Sequence, residues 1–184
     1  MPPPIMNQYH DPALVACLEE LLRRGEISGE GWTPLAGDGS DRSIWRVGKP
    51  GASVVVVSHQ NPPRNELGVT ENDSFLYIRD HLEKKGVPVP GLLAAGDAGR
   101  WMILEDLGDT RLQDMARMRG KNAAAVRKIY SAVLEYLPRI QVAGGQGFDL
   151  SRVHNTAYTA IFVREWESGY FLRYFVEGHL RIKA

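Results

Sequence analysis

The sequence contains one cysteine, no excess of either charge and no long apolar run. A single thiol, Cys17, cannot close an internal disulfide, so a cystine-stapled secreted fold is excluded and a reducing cytoplasm is the expected compartment. Within its leucine-rich surroundings Cys17 is expected to be a small core residue. Lys plus Arg and Asp plus Glu each number 22, giving a formal net charge of +0. That balance leaves no electrostatic ground for general binding to nucleic acid or to an anionic membrane. Apolar runs such as Val54 to Val57 fall far short of the roughly 20 residues that span a bilayer. The start, Met1-Pro2-Pro3-Pro4, lacks the basic and apolar regions of a secretory leader. The five histidines (His10, His59, His81, His154 and His179) are scattered without metal-ligand spacing, so no zinc site is expected.

What remains is ordinary globular composition. Hydrophobic residues make up 43% of 184 and charged residues 24%, enough for one domain with a core or for two small lobes. The first helix is marked at both ends, by Asp11 as N-cap before Pro12 and by Gly25 as terminator. Leu14, Cys17, Leu18, Leu21 and Leu22 give it one apolar face. Strands are predicted at Trp32 to Ala36, Ser43 to Val47 and Ser53 to Ser58, with turn chemistry at Gly48-Lys49-Pro50-Gly51. A second helix starts at Thr70, with Asp73 at the capping-box position, and ends at Gly86. Phe75, Ile78 and Leu82 form its expected apolar face. Two further strands, Leu92 to Ala95 and Trp101 to Leu104, flank the turn Gly96 to Gly99. After Gly108 the pattern is helical: Thr110 to Met118, Ala123 to Val142 and about Tyr158 to Val176, the last two separated by the loop Gly144 to Gly147.

Two segments carry candidate chemistry. Gly37-Asp38-Gly39-Ser40-Asp41-Arg42 joins the first two strands, and glycines there let backbone N–H groups approach phosphate oxygens. Ser40 and Arg42 add a hydroxyl and a guanidinium of the kind that bind phosphate. Glycine-bearing hairpins are also ordinary turns, so this loop has meaning only in context. The second segment, Leu104-Glu105-Asp106-Leu107-Gly108-Asp109, leaves the last strand.

With Gly86-Val87-Pro88-Val89-Pro90 upstream, that second string resembles the aminoglycoside phosphotransferase and choline kinase superfamily. It is most similar to bacterial cell-wall amino sugar kinases acting on N-acetylmuramate and N-acetylglucosamine. The start Gly37 to Arg42, the strand Ile44-Trp45-Arg46-Val47, the pair Pro62-Pro63 and the aromatic stretch Arg164-Glu165-Trp166-Glu167, Tyr170, Phe171 and Phe175 carry the same likeness. The resemblance implies an α+β fold: a protein-kinase-like N-lobe with a five-stranded antiparallel sheet, plus the first helices of an incomplete helical C-lobe. The expected division is residues 1–30, an N-terminal helical segment; 31–108, the N-lobe and hinge; and 109–184, a partial C-lobe. It implies ATP as nucleotide, with Gly37, Asp38, Gly39, Ser40 and Arg42 over the phosphates and Glu105, Asp106 and Leu107 at the adenine edge. Mg²⁺ and a small hydroxyl acceptor, a sugar or amino sugar, are implied for the complete enzyme.

The sequence departs from that pattern twice. Kinases place a lysine on the third strand to hold the α and β phosphates. Here Val54 to Val57 lead into Ser58 and His59, which leaves Glu71 without its usual partner. The His-x-Asp loop, with the asparagine and metal-binding aspartate that follow it, is also missing, and Asp149 and His154 fall too early to supply it. The expectation is therefore a C-terminally truncated phosphotransferase without turnover. The alternatives are an inactive nucleotide-binding module, or an interaction module completed by a separate C-lobe chain. In that case the aromatics from Trp166 to Phe175 would form an exposed sticky patch.

Overall fold

Asp11 caps the first helix, α1 (Pro12–Arg23), by accepting a hydrogen bond from the Ala13 N–H at 3.0 Å, and proline occupies its first turn. The computed structural model describes residues 11–29, 31–36, 41–118, 122–155 and 158–183. Of the helix's apolar residues, Leu14, Leu18 and Leu21 are buried, whereas Leu22 faces outward and is 42% exposed.

Five strands follow: β1 (Trp32–Leu35), β2 (Ser43–Lys49), β3 (Ala52–Ser58), β4 (Leu92–Ala95) and β5 (Trp101–Glu105). They form one sheet in the order β1-β2-β3-β5-β4, with every pair antiparallel. β2 runs past the expected turn to Lys49, because Gly48 (φ +108°) pairs with Ser53 and donates to the Gly31 carbonyl at 2.9 Å. A Cβ at Gly48 would lie 2.3 Å from the Ala52 carbonyl oxygen, so only glycine fits there.

The alternation along β3 divides the core. Val54 and Val56 pack with Val47, Trp101 and Ile103 beneath α1, which thus shares one core with the sheet. Val57, Met102 and Leu104, with Val55 and Ile44, pack on the other face against Phe75 and Leu76 of α2 (Glu71–Lys84). The sheet therefore carries a helix on each face.

α2 opens with a complete capping box between Thr70 and Asp73. Its buried side is more polar than its sequence suggests. Ile78 is 36% exposed, while Asn72, Ser74 and Arg79 are buried. The reason is what packs on it. Asn72 donates to the Gly99 carbonyl (2.8 Å) and the His154 N–H donates to Ser74 Oγ (2.5 Å). Arg79 donates to the Pro90 carbonyl and to Glu83, each at 2.8 Å. Gly99 has φ +66°, and a Cβ there would lie 2.1 Å from Thr70 Oγ1, so the β4–β5 turn sits directly on the capping box.

Beyond β5 the chain is helical: α3 (Leu112–Met118), α4 (Ala123–Leu134), a wide i→i+5 turn at Arg139–Ala143, and α5 (Ala160–Phe162). From α5 the chain continues into i→i+5 windings at Val163–Ser168 and Phe171–His179. The single helix expected from Ala123 to Val142 is broken ahead of Pro138, whose nitrogen has no hydrogen to donate. The segment 144–154 returns to α2. His81 Nε2 lies 2.7 Å from the Gly144 carbonyl, the Asp149 N–H donates to Tyr77 Oη (2.6 Å), and Phe148 packs on Tyr77 and His81. Among the described residues, no helix is long and apolar enough to cross a membrane.

Candidate functional site

The exit of β5 is organised by an arginine from β2. Arg46 lies opposite Val55, which in turn pairs with Leu104, so all three share the α2 side of the sheet. Its guanidinium grips Asp106 with two bonds (Nε to Oδ2 2.6 Å, Nη2 to Oδ1 3.0 Å) and Asp109 with two more at 2.9 Å. Ser53 Oγ donates to Asp106 Oδ2 at 2.6 Å, and the Gly108 N–H donates to Oδ1 at 2.9 Å. Asp106 is 7% exposed and Arg46 15%, so the pair is shielded, whereas Asp109 is 81% exposed.

This environment holds the Asp106 carboxyl down at about 2, first through Arg46 and then through Ser53 and the Gly108 N–H, against an opposing burial effect. Arg46 is correspondingly raised by its bonds to Asp106 and Asp109, and Asp109 is lowered, chiefly by its bond to Arg46. Bidentate arginine–carboxylate pairs of this kind fix orientation as well as charge.

Of the residues singled out in the sequence, Glu105, Asp106 and Leu107 stand together here. The Glu105 carboxylate accepts from the Gly91 N–H (2.9 Å) while its own N–H donates to the Gly91 carbonyl (2.8 Å), so its side chain is spent on tying down the approach to β4. Leu107 projects outward, 66% exposed. A cleft of about 330 Å³ opens at this end, at the lower limit of the roughly 300–1,000 Å³ of small-molecule pockets. It is lined by Glu26, Glu105, Asp106 and Asp109 against Arg46, four acids to one base. A neutral, hydrogen-bonding ligand suits it better than an anion.

Arg42 is at the opposite end of β2, four residues or about 13 Å from Arg46, and its Nε lies 3.5 Å from Glu71 Oε2 of α2. Glu71 thus has a cationic partner, supplied by the residue just before β2 instead of by β3. Gly37, Asp38, Gly39 and Ser40 lie outside the described residues. Among the described residues, no group of three or more His, Cys, Asp or Glu side chains could hold a metal ion. The Mg²⁺ implied by the resemblance therefore has no ligand set among them.

Sequence reasoning missed Arg46 and Ser53. Their contacts to Asp106 span 60 and 53 residues. The available signal was a charged residue at a face-sharing position between Ile44 and Gly48 in an otherwise apolar strand. No known family model matches the chain, and no curated protein matches it.

Proposed function

We propose that this chain is a nucleotide-binding lobe of the small-molecule kinase type, with adenine held at the exit of β5. The observation that carries the reading is the strand order β1-β2-β3-β5-β4, with α2 inserted between β3 and β4 and a structured acidic turn leaving β5. In that arrangement the extended segment Glu105–Leu107 presents main-chain groups to a base edge. Arg46 fixes its course through Asp106, and Leu93 and Pro50 supply apolar lining beside it. The acidic lining of the cleft favours a neutral base over a phosphate.

The reading extends to binding. The transfer step needs a placed base and metal ligands, and residues 1–184 contain no His-x-Asp string that would provide them. ATP is the nucleotide, and the acceptor, a sugar or amino sugar hydroxyl, rests on the resemblance alone. The test is calorimetric titration of the folded chain with ATP and with adenosine, with and without Mg²⁺. Saturable binding of both is expected. No heat from either, in a chain whose circular dichroism shows it folded, would end the proposal.

One observation favours a second reading, a module completed by another protein. Trp166, Tyr170, Phe171 and Tyr174 are each more than half exposed. It predicts self-association at rising concentration, read by light scattering, that a partner would suppress.

A further inference from the structure

β3 ends in polar residues on the α1 face of the sheet. Ser58 follows Val54 and Val56 on that face by alternation, and it pairs with Ser43 of β2 on one side and Trp101 of β5 on the other. At about 4.8 Å between strands, Ser43 and Trp101 stand about 10 Å apart across it. Two clefts, of about 210 and 290 Å³, share Ser58 and the three residues after it, His59, Gln60 and Asn61. The first takes in Leu14 and Trp101 together with Asp11 and Arg100. The second takes in Ser43 and Asp41. The β5 exit is at the far end of β3, where Val54 pairs with Glu105, four residues or about 13 Å away.

We propose that the two clefts, adjoining at Ser58, bind a small neutral polyol, independently of the nucleotide reading above. Charge argues against an anion. Arg100 Nη2 lies 3.2 Å from Asp11 Oδ2, so those two charges cancel and the lining keeps the single negative charge of Asp41. The hydrogen-bonding groups argue for hydroxyls. A serine hydroxyl, a side-chain amide and a neutral imidazole each both donate and accept. Each hydroxyl of a polyol does the same, so neighbouring hydroxyls can pair with Ser58, Gln60 and Asn61 without setting donor against donor. Burial gives the site depth, for Ser58 is 9% exposed and His59 Nδ1 is buried with no hydrogen-bond partner. A buried polar atom left unpaired is rare and costly, and a ligand hydroxyl supplies the partner. Leu14 and Trp101, both buried, offer apolar surface to the C–H face of the same molecule.

The experiment follows the isotope-labelled full chain by NMR as D-glucose, myo-inositol or inorganic phosphate is added. The Trp101 indole N–H, buried without a hydrogen-bond partner, is the reporter. At least one of the two polyols is expected to shift the signals of Trp101 and residues 58–61 saturably, and phosphate to leave them unmoved. Asn61→Ala and Ser58→Ala should each weaken that polyol roughly 3- to 10-fold, the range for losing one neutral hydrogen bond. Asn61 is exposed and Ser58→Ala removes a single oxygen, so both variants should keep the fold, which the dispersion of their spectra checks. No saturable shift with either polyol overturns the proposal. Shifts that both variants leave unchanged overturn it too, because the ligand then sits elsewhere. Shifts with phosphate in place of the polyols overturn the ligand class. Adenosine, titrated alongside, should bind the variants as it binds the wild type, so a failure here leaves the nucleotide reading standing.

Discussion

The sheet half and the helical half of this chain use similar apolar residues to very different effect. Between Trp32 and Glu105, Val56 and Ile103 are fully buried, and Val54, Trp101 and Met102 are nearly so. Beyond Leu107, Val153 is the only buried large hydrophobic among the described residues, while Val133, Leu134, Ile161, Trp166 and Phe171 are all 44% exposed or more. An apolar stripe on a helix stabilises only what it is pressed against. The β-branched residues of β3 have a helix on each side. Those of α4 and of the 160–179 stretch lack such cover, and the ring pairs Phe171–Phe175 and Tyr170–Tyr174 pack along their own helix instead.

That contrast can be broken most directly by truncation. Ile103→Ala is expected to lower the unfolding free energy by about 2–5 kcal/mol, the range for emptying a packed core site, whereas Val133→Ala in α4 should change it by less than about 0.5 kcal/mol. Urea denaturation compares the two, and equal losses would mean that the helical half is as well packed as the sheet. Next in size is Arg46→Met, which strands the shielded Asp106 carboxylate at a cost of about 3 kcal/mol. That cost should shrink as the pH falls and Asp106 becomes neutral.

The acid response of the wild type follows from the same group. Its folded value is depressed to about 2 from the ordinary 3.8. The stabilisation is therefore fully present above about pH 4 and is lost as the pH falls towards 2, amounting to about 2 kcal/mol. Asp106→Asn should remove this segment of the stability–pH curve, and an unchanged curve would place the acid sensitivity elsewhere. A smaller loss is expected at the α2 cap, where Thr70→Ala should cost about 1 kcal/mol by opening the capping box. A loss confined to the sheet half, seen by amide exchange, would sharpen the comparison further.

Features with a local cause could be read from the residues. Asp11-Pro12, Thr70 with Asp73, and Gly25 and Gly86 (both φ +72°) mark helix ends because caps act within one turn. The alternating segments and their turns marked the five strands for the same reason, while their union in one antiparallel sheet was what the resemblance implied. What depended on distant partners was hidden. Nothing near Asp106 announces Arg46, and nothing in α2 explains a buried Asn72 until the Gly99 carbonyl is set against it. Glu71 seemed to lack a partner because a lysine was sought on β3, whereas its partner came from the start of β2. The break before Pro138 had a local cause and was overlooked beneath a persuasive apolar period. Of the candidate site, the segment Glu105–Leu107 was visible as a string, but the clamp that shapes it was not.

The way α2 is fastened gives it a mechanical character. Its first turn is seated under Gly99 and bonded to residue 154 through Ser74, its middle is bonded to residue 149 through Tyr77, and past its end the Gly86 carbonyl accepts from Arg139 at 3.1 Å. A helix tied along its whole length cannot swing about one end as a lever does; it moves as a strut. At 1.5 Å per residue its 14 residues span about 21 Å, joining the segment 139–154 to the carboxylate that holds Arg42. A push on that segment therefore reaches the far end of the sheet as a displacement of Glu71, with little of it absorbed by bending on the way.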